Sequence, residues 1–443
     1  MRPDFPTLPN SERIRAHVLA ALGRYWSKDH TSVASLPVAK ITAVTISGPL
    51  RLVEIKLPDW AAHCGIGASL LIPREAISSN SQSSDDWQQV DWWLAAFLLL
   101  EAWHERLWEH EHGPIHSYSF RLPGWDERAW ERAWVNRIGL FLRRWATHQS
   151  GAAAETQMGL LHKHQIHLTH DVDALAKTLP IRLKQSSFNL LNAARCLRHG
   201  QYRHMVGRLL HASSFLFSWD DWWTFTQLQK WEADAGIRAT FYFHADRRLK
   251  TLKNWLFDPS YDLAAPKQSA LLRHLVSEGH RIGLHPSFDT WQDYLQIAAQ
   301  RAWVEESAGV SITQCRQHWL RFSWQYTWAA QQSAGLKYDS TLMFNDRHGF
   351  RNSSALCWAP WHPHGDSSHD IYALPTVFMD SHFYDYQSIS PALRNQTIRN
   401  YIEECNIVSG EVALLWHPHT LSKDFGWSDG FRDLINLIKE FNR

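Results

Sequence analysis

Cysteine is scarce in this chain, with five residues among 443: Cys64, Cys196, Cys315, Cys357 and Cys405. Their number is odd and they lie far apart, which argues against a disulfide framework and against a zinc ribbon of paired cysteines. The pattern therefore indicates a reducing compartment. A chain of this length can bury the cores of two or three domains without such cross-links.

An excess of charge of one sign is also lacking, because 45 Lys and Arg residues stand against 44 Asp and Glu residues. We therefore predict no nucleic-acid partner. The longest apolar run, Trp92 to Leu100, is about half of the ~18–20 residues needed to cross a bilayer, and it predicts a buried helix. The N-terminus lacks the apolar core of a signal peptide, so we expect a cytoplasmic protein.

Tryptophan and histidine, by contrast, are frequent, with 25 and 27 residues. Tryptophan rings stack on sugar faces, but they also fill protein cores. Composition alone favours packing and leaves sugar recognition open.

Two regions differ in their patterns of apolar residues. Residues 1–150 contain a helical pattern near 11–25, β-like runs at 41–46 and 50–55, and helical patterns at 90–108 and 127–146. This part is predicted to be a smaller α+β N-terminal domain. The stretch "HQSGAAAETQ" breaks the pattern and reads as a linker before a second region, residues 160–443.

In the second region, β-like runs alternate with helical patterns, which predicts parallel βαβ units. The number of runs, seven, favours a β/α barrel over an open sheet, and the chemistry of such a barrel lies at the carboxyl ends of its strands. The predicted strands are "QIHLTH" (165–170), "IRATFYFH" (237–244), "RIGLH" (281–285), "RQHWLRF" (316–322), "LKYDST" (336–341), "IYALPT" (371–376) and "EVALLW" (411–416).

Polar reactive residues follow several of these strands. Asp171 and Asp173 follow the first, His285 ends the third, His318 is placed in the fourth, and His417 follows the last. One carboxylate can bind a divalent ion while the other takes a proton from water, an imidazole suits zinc, and a second imidazole can protonate a leaving group.

Each residue has a structural alternative. Asp171 and Asp173 are also good helix N-caps, and His285 taken alone is more typical of a core histidine with satisfied hydrogen bonds. His417 alone fits either interpretation. The structural alternative weakens only when the residues are considered together.

The motifs "THDVD", "GIRATFYF", "GHRIGLHPS", "RQHWLRF", "YDSTLMFNDRHGFR" and "LLWH", in this order, resemble the polysaccharide deacetylases of carbohydrate esterase family 4. The resemblance covers residues from about 165 to 420. It implies a distorted (β/α)7 barrel that holds a divalent metal, usually zinc, and removes N- or O-acetyl groups from glycans. The wording of the motifs is closest to a bacterial branch with an extra N-terminal domain.

The resemblance implies roles for individual residues. Asp171 is similar to the general base, Asp173 to the metal aspartate, and His285 to the first metal histidine. Arg316 resembles the arginine that orients the base, and His417 the general acid. Substrate contacts are expected at Leu415, which resembles the residue lining the acetyl-methyl pocket, and at Trp416 and Arg351.

The chain departs from the family at the second metal histidine, which follows the first by four residues. Asp289 stands at that position. Its carboxylate can bind zinc, but Gln292 three residues later also makes it a candidate for a helix capping box. His318, where the family usually has proline, is the other candidate for the third ligand. Loss of both would leave a weak metal site or none.

A basic segment lies between the first and second strands. From Ala174 to Trp219 there are seven Lys or Arg residues and no Asp or Glu. Basic amphipathic helices suit anionic lipid surfaces or acidic glycans, so peripheral contact with the inner membrane face is one interpretation. A solvated helical flap packed on the N-terminal domain is the favoured alternative.

The sequence thus predicts a carbohydrate deacetylase, a hydrolase of non-peptide carbon–nitrogen bonds or of acetyl esters. Its expected substrate is an acetylated saccharide or lipid-linked glycan of bacterial surface-polysaccharide biosynthesis. A non-catalytic glycan-binding protein on a degenerate barrel is the alternative. A glycosidase is disfavoured, because two carboxylates two residues apart are too close to flank a sugar bond.

Overall fold

The computed structural model describes residues 7–39, 41, 44–62, 65–78, 87–198, 200–249, 251–362, 367–387 and 389–442. Cys64 and most of the loop "SSNSQSSDD" lie outside these residues. Part of the predicted strand over 41–46 does too, and its described residues are not in a strand. The four described cysteines are free thiols.

The N-terminal part combines helices with one antiparallel pair of strands, as the α+β prediction expects. All nine residues of the run "WWLAAFLLL" are buried in one helix, and Asp91 caps it by accepting hydrogen bonds from the backbone N–H groups of Trp93 and Leu94. The elements are α1 (Ser11–Ala21), α2 (Thr31–Ala34), β1 (Leu52–Lys56), α3 (Asp59–Ala62), β2 (Ser69–Pro73), α4 (Trp92–Leu100), α5 (Trp103–His112), α6 (Trp134–Ser150) and α7 (Ala152–Met158).

The second part is built on a parallel sheet with the order β8-β7-β6-β5-β4-β3-β10-β9. Its strands are short, and the predicted alternation of strands and helices is confirmed. They are β3 (Gln165–Val172), β4 (Thr240–Phe243), β5 (Arg281–Leu284), β6 (Gln314–Cys315), β7 (Tyr338–Asp339), β8 (Tyr372–Ala373), β9 (Thr376–Met379) and β10 (Glu411–Leu415).

One chain segment forms both edges of this sheet. β8 pairs with β7 and β9 pairs with β10, yet only Leu374 and Pro375 separate β8 from β9. The Leu374 N–H donates to Asp339 O on one side, and Pro375 O accepts from the Ala413 N–H on the other. The sheet therefore curls round on itself. Counted as one bent strand, β8 and β9 give the predicted (β/α)7 barrel.

The helices of this part follow the strands. A helical hairpin of α8 and α9 occupies the basic segment between β3 and β4. The helices are α8 (Leu179–Arg198), α9 (Tyr202–Phe217), α10 (Phe225–Ala235), α11 (Leu252–Phe257), α12 (Pro266–Ser277), α13 (Tyr294–Ala308), α14 (Thr327–Ser333), α15 (Pro391–Ile407) and α16 (Ser428–Phe441). Among the described residues, no helix has both the length and the apolar character needed to span a membrane.

Buried polar contacts join the N-terminal part to the barrel. The Arg137 guanidinium donates to both carboxylate oxygens of Glu404, at 2.7 and 2.6 Å. Glu101, which follows α4, accepts from the Trp358 indole at 2.9 Å. The apolar core is continuous across this contact. The predicted domain boundary near residue 150 stays a prediction.

Candidate metal and proton-transfer site

The two aspartates of "THDVD" lie at the carboxyl end of β3. Asp171 is the last but one residue of the strand, and Asp173 follows directly after Val172. Because side chains alternate along a strand, residues two apart share a face. Both carboxylates accordingly approach His285, with its Nε2 atom 3.9 Å from Asp171 Oδ2 and 3.3 Å from Asp173 Oδ1.

Arg316 holds Asp171 in place from the centre of the barrel. Its guanidinium is fully buried and donates at 2.9 Å to Asp171 Oδ1. The other N–H groups of the guanidinium bind Thr169 Oγ1, Ser340 O, Ser340 Oγ and Thr376 Oγ1 at 2.9–3.0 Å. All five donors are thus used, on groups from β3, β9 and the chain after β7. The guanidinium thus fixes the orientation of the Asp171 carboxylate.

His285, His318 and Asp173 form a group whose ligand atoms converge. The Nδ1 atom of His285 lies 2.6 Å from Arg316 O, and the Nε2 atom of His318 lies 2.7 Å from Phe257 O. Since a carbonyl oxygen only accepts, both of these ring nitrogens carry the proton. In the neutral rings the other nitrogens, His285 Nε2 and His318 Nδ1, are therefore lone pairs, and they face each other at 2.8 Å.

These donors fit a cation. Two facing lone pairs repel each other unless a proton or a metal ion lies between them, and zinc accepts two imidazole nitrogens and a carboxylate oxygen. Within the described part of the chain, Asp173 Oδ1 is buried and accepts no hydrogen bond. Burial opposes ionisation of Asp173, but the charge that His318, His285 and His417 carry when protonated holds the pKa of Asp173 well below its usual range.

His318 reaches this group from a turn, so its predicted position inside the fourth strand is wrong. β6 ends at Cys315, and His318–Leu320 form a 3-10 turn. Trp319 and Leu320 have φ values of 57° and 47°, in the left-handed region that side chains other than glycine rarely adopt. Such strained backbone is concentrated at functional sites.

Asp289 is not part of the group, which corrects its prediction as a metal ligand. Its carboxylate instead accepts at 3.0 Å from the Arg248 guanidinium. The capping alternative is also wrong, because the N-cap of α13 is Asp293, whose side chain accepts from the Gln296 N–H. The function of the Asp289 carboxylate is thus to bind Arg248, which lies in the chain after β4.

A second group of potential ligands, His244, Asp246 and Asp258, lies beside the first. Its carboxylates already have donors. Asp246 accepts from Arg248 at 2.6 Å, and Asp258 accepts from the Phe288 N–H at 2.7 Å. These groups therefore bind the loops together around the mouth of the barrel.

His417 lies on the opposite side of Asp173, with its Nε2 atom 3.7 Å from Asp173 Oδ2. Its Nδ1 atom lies 2.7 Å from Asp380 Oδ1, and its backbone N–H donates to Asp380 Oδ2. Burial lowers the pKa of His417, but the Asp380 carboxylate, helped by Asp173 and Asp171, outweighs it and raises the pKa to about 10. The ring is thus oriented and held protonated.

Asp380 is the functional candidate that the sequence interpretation missed. It follows β9 directly and is fully buried, and Thr420 Oγ1 also donates to it, at 2.9 Å. The signal was available, because an aspartate just beyond the "PTVFM" run satisfies the same strand-end rule that selected Asp171 and His417.

The three predicted substrate contacts differ. Leu415, the last residue of β10, belongs to a small apolar cluster with Leu320, Met343 and Met379, separate from the main core. All four follow or end barrel strands, so the cluster lies at the same end as the charged groups. Its proposed contact with substrate stays a prediction.

Trp416 and Arg351 are placed elsewhere. The Trp416 ring is fully buried and packs on Phe431 of α16, because alternation along the chain turns it away from Leu415 and His417. Arg351 is buried in an ion pair with Glu105 of α5. Both predictions of substrate contact are therefore corrected to structural roles.

Comparisons with known proteins give matches among solved structures alone; no protein-family model and no curated protein matches the chain. A putative polysaccharide deacetylase from Mycobacterium smegmatis matches with a TM-score of 0.37 and 18% identity, over 62% of this chain and 84% of that one. The Xyl-CE4 domain of a multidomain xylanase from the hindgut metagenome of Trinervitermes trinervoides gives 0.30 and 9%, over 63% and 84%.

A CE4 family pseudoenzyme from Bacillus Anthracis gives a TM-score of 0.26 and 9% identity, over 63% of this chain and 61% of that one. These solved structures are polysaccharide deacetylases and CE4 domains, the family that the sequence motifs resemble. At these scores the assignment of the barrel rests on the strand order and hydrogen bonding described above.

Proposed function

We propose that this chain is a metal-dependent deacetylase that hydrolyses an acetyl group of a saccharide. The observation that carries the proposal is the convergence of His285 Nε2, His318 Nδ1 and Asp173 Oδ1 between two oriented proton-transfer groups. A divalent ion held by these three atoms, with zinc the best match to the donors, would polarise an acetyl carbonyl and lower the pKa of a water.

Asp171 acts as the general base in this scheme. Arg316 occupies its Oδ1 atom, which leaves Oδ2 directed towards His285 and the metal ligands. A carboxylate fixed in this way accepts the proton of the attacking water without first having to reorient. Because Arg316 is itself held by four other hydrogen bonds, the base has one orientation.

His417 acts as the general acid. Asp380 accepts from Nδ1–H, so the other nitrogen, Nε2, points towards Asp173 and the site. A protonated imidazole with this orientation can deliver its proton to the departing amine or alcohol as the bond to the acetyl carbon breaks. Base and acid thus approach the metal ligands from different strand ends.

The apolar cluster of Leu320, Met343, Met379 and Leu415 provides the place for the acetyl methyl group. Each of its members lies directly at or after the end of a strand whose neighbours carry the charged groups. Apolar surface beside a polar centre favours a substrate that is part methyl and part carbonyl. An acetate-release assay on a panel of saccharides identifies the surrounding sugar and its linkage.

Elemental analysis of the purified protein, followed by an acetate-release assay on a panel of N- and O-acetylated saccharides, tests the proposal. We expect one divalent ion per chain and acetate release that Asp171→Asn abolishes without changing metal content. A metal-free protein that binds glycans and releases no acetate would instead support the glycan-binding alternative. Metal together with hydrolysis of glycosidic bonds would contradict both.

A further inference from the structure

The hairpin of α8 and α9 buries small and polar side chains at its helix–helix contact. Ser186 and Asn189 of α8 are buried, as is Ala212 of α9. Ser186 Oγ donates to Ala212 O at 2.9 Å, and Asn189 accepts from Arg208 at 3.4 Å. Leucine, the commonest residue of helix–helix contacts in water, lies elsewhere on both helices.

The leucines face outwards. On α8, Leu179, Leu183, Leu190 and Leu197 are spaced by four, seven and seven residues, so they form one stripe along the helix. Their exposed fractions are 64, 46, 51 and 53%. α9 has a second exposed stripe, and the chain beyond it adds Trp219; these residues are Tyr202, Val206, Leu209, Leu210, Phe217 and Trp219.

This arrangement is the reverse of an amphipathic pair in water, where apolar stripes face each other. Small residues at the contact and large apolar residues on the outside are typical of helices that face lipid. The exposed stripes therefore favour contact with an apolar medium or an apolar partner. The charges of the hairpin distinguish between these two.

The charges of the hairpin are of one sign. Residues 174–219 hold seven Lys or Arg and no Asp or Glu. Arg195, Arg198 and Arg203 are exposed around the turn between the helices. Arg182 and Lys177, by contrast, bind groups of the protein, namely Ser218 O and the Asp424 carboxylate. A surface that meets the turn must therefore be negative.

We propose that the α8–α9 hairpin is a membrane-docking element for an anionic phospholipid surface. The leucine stripes would enter the boundary between headgroups and acyl chains, while the three arginines of the turn bind lipid phosphates. Neither contact needs a helix that crosses the bilayer. The hairpin would lie in the plane of the interface. Its buried polar groups, Ser186 and Asn189, already have hydrogen-bond partners within the hairpin.

The hairpin borders the mouth of the barrel. The Lys184 ammonium of α8 lies 5.9 Å from the Trp319 ring, next to His318, and Arg208 of α9 lies 3.6 Å from Asp385, in the turn after β9. Docking would therefore bring the candidate site to the membrane surface. One consequence rests on the proposed function: the substrate would be a saccharide carried on a membrane lipid.

Co-sedimentation of the full chain with vesicles tests the docking without reference to catalysis. We expect binding to phosphatidylglycerol-containing vesicles and much weaker binding to pure phosphatidylcholine vesicles. The triple variant Leu183→Ser, Leu190→Ser, Leu197→Ser should lose at least about tenfold in partitioning, because it removes three of the four leucines of the α8 stripe. Arg195→Gln, Arg198→Gln, Arg203→Gln should remove the preference for anionic lipid.

Matched controls lie outside the hairpin. Leu160→Ser, Leu295→Ser, Leu393→Ser changes three other exposed leucines, and Arg132→Gln, Arg273→Gln, Arg432→Gln removes the same charge elsewhere. Both controls should bind like the unchanged chain. Equal, negligible binding of the unchanged chain to both vesicle types would overturn the proposal. So would a dimer in solution that the leucine variant dissociates, since a second copy would then cover the stripes.

Discussion

At the scale of single residues, hydrogen-bond partners decide which of several suitable side chains acts. Carbonyl groups fix the tautomers of His285 and His318, and Arg316 and Asp380 orient Asp171 and His417. Asp289 has the right chemistry for a ligand, but Arg248 holds its carboxylate. Ligand type alone therefore did not distinguish Asp289 from His318. Their hydrogen-bond partners do, because Arg248 binds the Asp289 carboxylate whereas Phe257 O leaves His318 Nδ1 free to face the group.

We expect His318→Ala to lose the metal and Asp289→Asn to keep it. Removing a ligand should weaken affinity by more than the ~10–100-fold typical of changes to outer partners. Metal content after dialysis against a weak chelator measures both variants. An ion retained by His318→Ala and lost by Asp289→Asn would show that Asp289 rearranges to become the third ligand.

Asp380→Asn should lower kcat by about 100-fold, because His417 loses the group that orients it and keeps it protonated. KM and metal content should stay near their original values, as the Asp380 carboxylate accepts hydrogen bonds from His417 and Thr420 and from none of the candidate metal ligands. Thr420→Val is the matched control, since it removes one hydrogen bond to Asp380 and leaves the His417 pair. A loss of metal in Asp380→Asn would indicate a structural role instead.

At the scale of elements, the sequence identified the strands better than it identified which way their side chains point. Six of the seven predicted strands overlap strands of the sheet, whereas the fourth, 316–322, lies after the end of β6. These six strands and the apolar α4 follow from periodicity, which depends on local residues alone. Trp416 was assigned to the substrate although alternation with Leu415 and His417 already turned it outwards. The partner of Arg351, Glu105, lies 246 residues away in the chain, and no local pattern signals such a contact.

A buried glutamate, Glu101, carries a negative charge at the contact between α4 and the barrel. Glu101 is fully buried and accepts from His17 Nε2 at 2.7 Å and from the Arg106 guanidinium. Burial raises the pKa of Glu101, but Arg106 and His17 outweigh it and lower the pKa to about 2. Glu101 therefore binds a proton less readily in the folded chain than in the unfolded chain, where its pKa has the ordinary value of a glutamate.

Glu101→Gln should accordingly destabilise the fold by about 3 kcal/mol near neutral pH, because Arg106 keeps its charge without a partner. The contribution of Glu101 is present above about pH 4.5 and is lost as the pH falls towards 2. Urea unfolding at pH 7 and pH 3 should show the gap between the two proteins narrowing in acid. Glu111→Gln, at an exposed position of α5, should show neither effect.

At the scale of the whole molecule, the N-terminal part and the hairpin both contact chain segments next to the candidate site. The N-terminal part binds the chain after β7 through Arg351 and Glu105, on one side of the apolar cluster. The hairpin borders the mouth on another side. The surroundings of the site thus include parts of the chain outside the barrel strands.

Metal binding should stabilise the whole chain. Zinc at 100 times its dissociation constant adds about 2.7 kcal/mol when the unfolded state does not bind it. We expect a chelator to lower the thermal midpoint of the unchanged chain by a few degrees and to leave that of His318→Ala unchanged. An equal chelator effect on both proteins would place the stabilising ion at another site.

The bent segment of β8 and β9 also has a consequence for biosynthesis. The candidate metal ligands follow β3, β5 and β6, and β3 to β6 pair in chain order. β10 and the bent strand, which complete the ring with β3, leave the ribosome more than 200 residues after it. A nascent half-barrel can therefore bring Asp173, His285 and His318 together during translation, while His417 joins them only when the ring closes.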